Sequence, residues 1–349
     1  MKRIGQIAGV IVTICILVIL ISFSSFTVRP FSADKCVAGT KAFHQIPENS
    51  VDVIVYGSSH AWRGVDVGEM YESYGIGAYN YGCNWQQVNT EALFFYDSLR
   101  TQSPKLVLFD TFRINELVKD TDLTGEIYYT RYLENSSEKK EYLKSAFGKN
   151  LERWVAYAFP FSQFHSGWDS SISEQTSTNW YAPEDYVNTM GYYNDKSKDR
   201  ITPVEIGDPN SQAQYELDAE AIAVLDGVVK TCQEKDIKLV FLTIPWEGAN
   251  NYNNAIVNYA VANGCDYIDM FQHLDDAGID LSKDFGDEGH MNKVGAKKIG
   301  NFLGAYLTEN YDLPDRRKEP DNLWEGKTGN QVGYEYSKWL DAHGMINDQ

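Results

Sequence analysis

The run VDVIVY that begins at Val51 leads directly into Gly57, Ser58, Ser59 and His60. In an open α/β sheet, ligands bind at the carboxyl ends of strands, so a serine placed there stands where chemistry happens. Gly57 lets the chain turn sharply out of the strand, and the serine after the turn can expose its hydroxyl and backbone amide together. A serine hydroxyl is a weak nucleophile at neutral pH. It needs a base to take its proton and a third group to orient that base. Asp287 and His290, in DFGDEGHMNKVGAKKIGNFL, offer such a pair, because their three-residue spacing lets both side chains point into one mouth. Asn292 and Gly295 mark the start of the helix that follows. The chemistry of such a set is acyl transfer through an ester on the serine.

The elements that must position these residues follow from alternating patterns. Short β-branched runs at Val51–Tyr56, Ala78–Tyr81, Leu106–Phe109, Leu239–Thr243 and Tyr267–Asp269 predict five buried strands. Helical patterns separate them at about Val67–Tyr74, Asn89–Arg100, Glu216–Lys235, Asn253–Asn263 and Asn292–Asn310. In Glu216–Lys235, residues Leu217, Ile222, Leu225, Val228 and Val229 form one apolar stripe. With right-handed crossovers this order predicts a three-layer α/β/α sandwich around a five-stranded parallel sheet. Residues 51–115 and 216–312 form that domain. Residues 116–215 interrupt it and read as a lid or subdomain rich in aromatics, among them Trp154, Phe159, Phe161, Trp168, Trp180 and Tyr181. Such aromatics mostly fill cores, although they can stack on sugars. Residues 29–50 read as a linker and 313–349 as a peripheral tail.

GSSHAWRGVDVGEMYESYGIGAYNYG and DEGHMNKVGA resemble the first and last sequence blocks of the SGNH (GDSL-like) hydrolase superfamily. The resemblance is to a branch of membrane-anchored bacterial GSSH proteins related to the acyltransferases of alginate acetylation and teichoic-acid D-alanylation. It covers residues 51–115 and 216–310 and implies the flavodoxin-like fold of that superfamily. It also implies Ser59 as nucleophile, with Asp287 and His290 completing the triad. The second block would be YNYGCNW, where the amide of Gly82 joins that of Ser59 in an oxyanion hole. The third block, usually GxND, is absent: the chain reads LVLFDTFRIN, and Phe112 falls where the family asparagine stands. The third donor is then left to Arg113, Asn115, Asn84 or to none. Losing one donor costs roughly 100- to 1000-fold in rate.

The 349 residues suffice for one α/β core with decorations, and a formal charge of -18 argues against nucleic acid as a partner. Lys2 and Arg3 precede about 17 uncharged residues, Ile7–Phe23, long enough to cross most of a bilayer. The cations hold the amino terminus in the cytoplasm and send the body outside. A cleaved secretion signal would end in small residues of the A-x-A type, which SFSSFTVRPFSADKC lacks. No lipid-attachment pattern precedes Cys36. The five cysteines show no CxxC and no metal-ligand spacing. A Cys232–Cys265 bridge is permitted, but buried free thiols are the expectation.

Three further expectations concern charged groups. His60, on the outgoing helix, should be structural and project away from Ser59. Asp110 and Arg113 should form a surface ion pair, with Arg113 as a carboxylate or phosphate binder the alternative. Lys144, Lys149, Lys293, Lys297 and Lys298 should line solvated helix faces. Together these readings predict an extracytoplasmic serine esterase or O-acyltransferase acting on a cell-envelope or exported polysaccharide, without metal or diffusible cofactor. The rival is a non-catalytic binding or assembly protein of the same fold that hands polymer to a membrane acyltransferase.

Overall fold

The computed structural model describes residues 2–27, 34–118, 130–159, 189–193, 200–207, 214–319 and 323–324. An apolar helix, α1 (Lys2–Thr27), comes first, followed by α2 (Asp34–Phe43). The body then runs β1 (Val53–Tyr56), α3 (Ser59–Gly64), α4 (Val67–Tyr74), β2 (Ala78–Asn80), α5 (Val88–Ser98) and β3 (Leu106–Asp110). After α6 (Ser137–Phe147) and α7 (Leu151–Ala158) it continues through α8 (Ala219–Lys235), β4 (Lys238–Thr243), α9 (Asn253–Asn263) and β5 (Asp266–Asp269). A small antiparallel ribbon, β6 (Phe285–Asp287) and β7 (His290–Met291), precedes α10 (Lys293–Asn310).

The protein is α/β, with a five-stranded, all-parallel sheet in the order β2-β1-β3-β4-β5. The central strands are buried along their length, as strands covered on both faces must be. The path from β1 to β2 moves one way across the sheet and every later crossover moves the other way. Right-handed crossovers therefore put α3 and α4 on the face opposite α5, α8 and α9. The reversal makes a switch point between β1 and β3, and open α/β sheets bind ligands outside the strand carboxyl ends at such a point.

α10 returns to the face of α3 and α4, and two glycines let it approach closely. A Cβ at Gly300 would collide with the Asp66 carbonyl, and one at Gly304 with the ring of Tyr74. The predicted helix start at Asn292 proves to be the N-cap: its side chain accepts from Val294 N (3.0 Å) and Gly295 N (3.1 Å) and donates to Arg200 O (3.2 Å). The turn carrying Asp287 and His290 is thereby fixed to the helix behind it.

Several expectations change. The supposed linker 29–50 contains α2, whose Val37, Ala42 and Phe43 are buried; Phe43 stacks on Tyr81 at 4.1 Å. Cys36 of α2 is bonded to Cys83, and Cys232 and Cys265 are free. The described part of the tail is not peripheral. Trp324 is buried and donates to Ala78 O (3.1 Å), while Arg316 grips the buried Asp52 with two contacts of 2.6 Å. Together with Met190, whose carbonyl accepts from Asn80 N (2.8 Å), Trp324 covers the edge strand β2. Lys144, Lys149 and Lys293 are exposed, but Lys297 and Lys298 pair with the buried carboxylates of Glu69 (3.1 Å) and Asp284 (2.6 Å). Of the insertion, α6 packs on α5, with Tyr142 OH 3.0 Å from Thr90 Oγ1. Phe161, Trp168, Trp180 and Tyr181 lie outside the described residues.

Among the described residues one helix, over Gly5–Ser24, is long and apolar enough to cross a membrane, and none of it is buried in the body. A secretion signal meets the same criterion.

Candidate active site

The serine turn is built by three residues of different duty. Gly57 has φ +151°, and a Cβ there would run into the Cβ of Asp110, so only glycine lets β1 and β3 close at this point. Ser58 is the N-cap of α3: its Oγ accepts from His60 N (3.3 Å) and donates to Asp110 Oδ2 (2.9 Å). Ser58 N also donates to Asp110 Oδ2 (3.2 Å). Ser59 then opens α3, half-exposed, and its amide is a first-turn donor with no acceptor inside the helix.

Ser59, His290 and Asp287 are brought together from segments 231 residues apart. His290 Nε2 lies 2.8 Å from Ser59 Oγ, and His290 Nδ1 lies 2.6 Å from Asp287 Oδ1. A carboxylate only accepts, so Nδ1 carries the proton and Nε2 presents its lone pair to the serine hydroxyl. Asp287 is itself held: Oδ1 accepts from Gly289 N (3.0 Å), and Arg63 Nη1 stands 3.6 Å from Oδ2. The Asp287 side chain is 49% exposed, so its charge acts through partly screened solvent. This chain of contacts can move a proton from the hydroxyl to the imidazole while the oxygen attacks a carbonyl.

His60 does not project away from this centre. Its ring is buried, stacks on Phe112 at 3.5 Å, meets Trp246 edge-on at 5.7 Å and lies 5.0 Å from the His290 ring. Burial, reinforced by His290, Arg63 and Arg113, holds its pKa well below the usual imidazole value. It is therefore neutral at pH 7, and its Nδ1 has no hydrogen-bond partner. Being next in sequence to Ser59 and on a short helix, its direction was not readable from local pattern.

Asp110 does not pair with Arg113. It is buried behind the serine turn and also accepts from Phe112 N (3.2 Å), and its own N–H donates to Glu91 Oε1 (3.0 Å). Burial pushes the Asp110 acid up to about 6 against the opposing pull of Ser58, Phe112 and Thr111. Burial and the Asp110 charge likewise raise Glu91. Arg113 pairs instead with Glu116 and lies 4.7 Å over the indole of Trp85.

The remaining expected donors are placed as follows. The Gly82 amide donates to Asn80 Oδ1 (3.1 Å), and Asn80 Nδ2 in turn holds Ala61 O (2.9 Å) and Val65 O (3.0 Å) at the end of α3. Gly82 thus serves a turn, and its missing Cβ makes room for Trp62. Asn84 is exposed, and its amide faces Cys36 Sγ (3.3 Å). Asn115 accepts from Asp218 N (2.6 Å) and donates to Tyr252 OH (3.4 Å), which makes it a brace for the approach to α8. Of the two expected backbone donors, the Gly82 amide is engaged by Asn80, while the Ser59 amide has no acceptor inside its helix. Among the described residues no group of three or more His, Cys, Asp or Glu could hold a metal ion. The chain matches no protein-family model and no curated relative.

Proposed function

We propose that this protein is an SGNH-type serine esterase or O-acyltransferase, held outside the cytoplasm by α1 and acting on an ester of a cell-envelope or exported glycan. One observation carries the reading: a serine hydroxyl, an imidazole and a carboxylate stand in a continuous relay, 2.8 and 2.6 Å apart, at the switch point of a parallel sheet. The sheet order 2-1-3-4-5 is that of flavodoxin-like folds, which fits the family resemblance of the GSSH and DEGH segments.

In this reading Ser59 Oγ attacks the ester carbonyl as His290 Nε2 takes its proton. The Ser59 amide stabilises the developing oxyanion. His290 returns the proton to the departing alcohol, leaving an acyl-serine. Water or a sugar hydroxyl, deprotonated by His290, then releases the acyl group, so hydrolysis and transfer differ only in the entering hydroxyl. Lys2 and Arg3, in the first turn of α1 ahead of its apolar span, favour a cytoplasmic amino terminus.

A second reading has its own support. With the Gly82 amide engaged by Asn80, the oxyanion donors are few, as suits a protein that binds polymer and passes it to a membrane acyltransferase. Fluorophosphonate labelling and p-nitrophenyl acetate cleavage by the detergent-solubilised full chain separate the two. Labelling and turnover that vanish in Ser59→Ala support the enzyme; equal residual rates in both proteins refute it.

A further inference from the structure

Among the described residues outside α1, Trp85 is the most exposed aromatic side chain, at 58%. Its backbone is left-handed, with φ +60°, a region that bulky side chains rarely adopt. The loop around it is nonetheless tightly held. Cys83 is bonded to Cys36 and donates its N–H to Gly57 O (2.9 Å), while the buried Gln86 accepts from Gly57 N (3.2 Å). The loop that carries Trp85 is thereby fastened on both sides to Gly57, two residues before Ser59. Arg113 covers the ring at 4.7 Å and is itself anchored to Glu116, so one face of the indole is backed and the rest is open to solvent.

We propose that Trp85, backed by Arg113, is a stacking platform for a pyranose ring of the substrate glycan. The inference rests on the reading of the Ser59 crevice as one that handles glycan esters. Its chemistry follows from the surroundings. Arg113 covers one face of the indole and the exposed Asn84 precedes it in the chain, so the ring offers its other flat apolar face beside a polar rim. A pyranose has the matching form, an apolar face of C–H groups bordered by hydroxyls, and stacking removes both apolar faces from water while the hydroxyls stay solvated. An aliphatic chain would require apolar walls on several sides, which this rim does not provide.

The test is binding, which needs no turnover. Saturation-transfer NMR titrations with cellohexaose and chitohexaose are run on detergent-solubilised Ser59→Ala protein and on the same protein carrying Trp85→Ala, Trp85→Phe or the surface control Val261→Ala. The expected result is saturable binding by the parent and the control, at least tenfold weaker binding with Trp85→Ala, and partial retention with Trp85→Phe, at unchanged thermal midpoints. Equal affinity in the parent and Trp85→Ala overturns the proposal, as does absence of saturable binding of both hexasaccharides to the parent. Trp85-dependent binding in a protein whose wild type neither labels nor cleaves esters would refute the ester chemistry and leave the platform standing.

Discussion

Asp110→Asn isolates what the buried carboxylate behind the serine turn does. In the native protein this carboxylate accepts from Ser58 Oγ, Ser58 N and Phe112 N, yet burial pushes its pKa from 3.8 up to about 6. A shift of about 2 units corresponds to roughly 3 kcal/mol of differential cost for the charged form. The folded state thus binds the proton more tightly than the unfolded chain, so stability falls as pH rises from about 4 to about 6. Asparagine has no such titration. It keeps an acceptor for Phe112 N but sets an amide against the Ser58 N–H, a pH-independent loss of about 1–3 kcal/mol. The stability of Asp110→Asn minus that of wild type should therefore rise by about 2 kcal/mol between pH 4 and pH 7, part of the effect lying below pH 4. Urea unfolding followed by tryptophan fluorescence, repeated in a Glu91→Gln background to remove the adjacent carboxylate, measures it. A difference constant to within about 1 kcal/mol over this range would refute the reasoning.

Asp287→Asn should lower kcat for p-nitrophenyl acetate by about 100- to 10,000-fold with KM little changed, because the imidazole loses its tautomer and its countercharge together. A fall below tenfold would show that Asp287 does not orient His290. Breaking the Cys36–Cys83 bond with Cys83→Ser should cost about 2–4 kcal/mol by urea unfolding, since the bond closes a loop across a sequence separation of 47; alkylation with and without reductant should count one disulfide. His60→Phe should leave the thermal midpoint unchanged or raised, because it removes an unpartnered buried nitrogen and keeps a ring for Phe112 and Trp246 to pack on. A drop in midpoint of more than a few degrees would mean that His60 has a partner in solution.

The local pattern of residues was enough for the strands, for most of the helices and for the cap at Asn292. Val67–Tyr74 and Asn253–Asn263 form helices at the expected bounds, and the five β-branched runs each form a strand within a residue or two. These outcomes rest on periodicity and end signals, which are properties of neighbouring residues. The ribbon at Phe285–Asp287 and His290–Met291 escaped because two or three residues cannot display an alternation. α2 escaped because DKCVAGTKAF carries no clear stripe, and its helix is supported by the burial of Phe43 against Tyr81.

At the site, residue types and their places at the ends of strand and helix were enough to single out Ser59, Asp287 and His290. What only the tertiary structure decided was which donor meets which acceptor. Ser58 meets Asp110 across 52 residues, Asn115 meets Asp218 across 103, and Cys36 takes Cys83 over any nearer or farther thiol. A hydrogen bond is made or lost within a few tenths of an ångström, and side-chain direction at that scale depends on the packing of segments far apart in the chain. The contacts of Gly82, Arg113, Asn115 and His60 were therefore decided by three-dimensional packing, while the types and spacing of Ser59, Asp287 and His290 were enough to mark them as candidates.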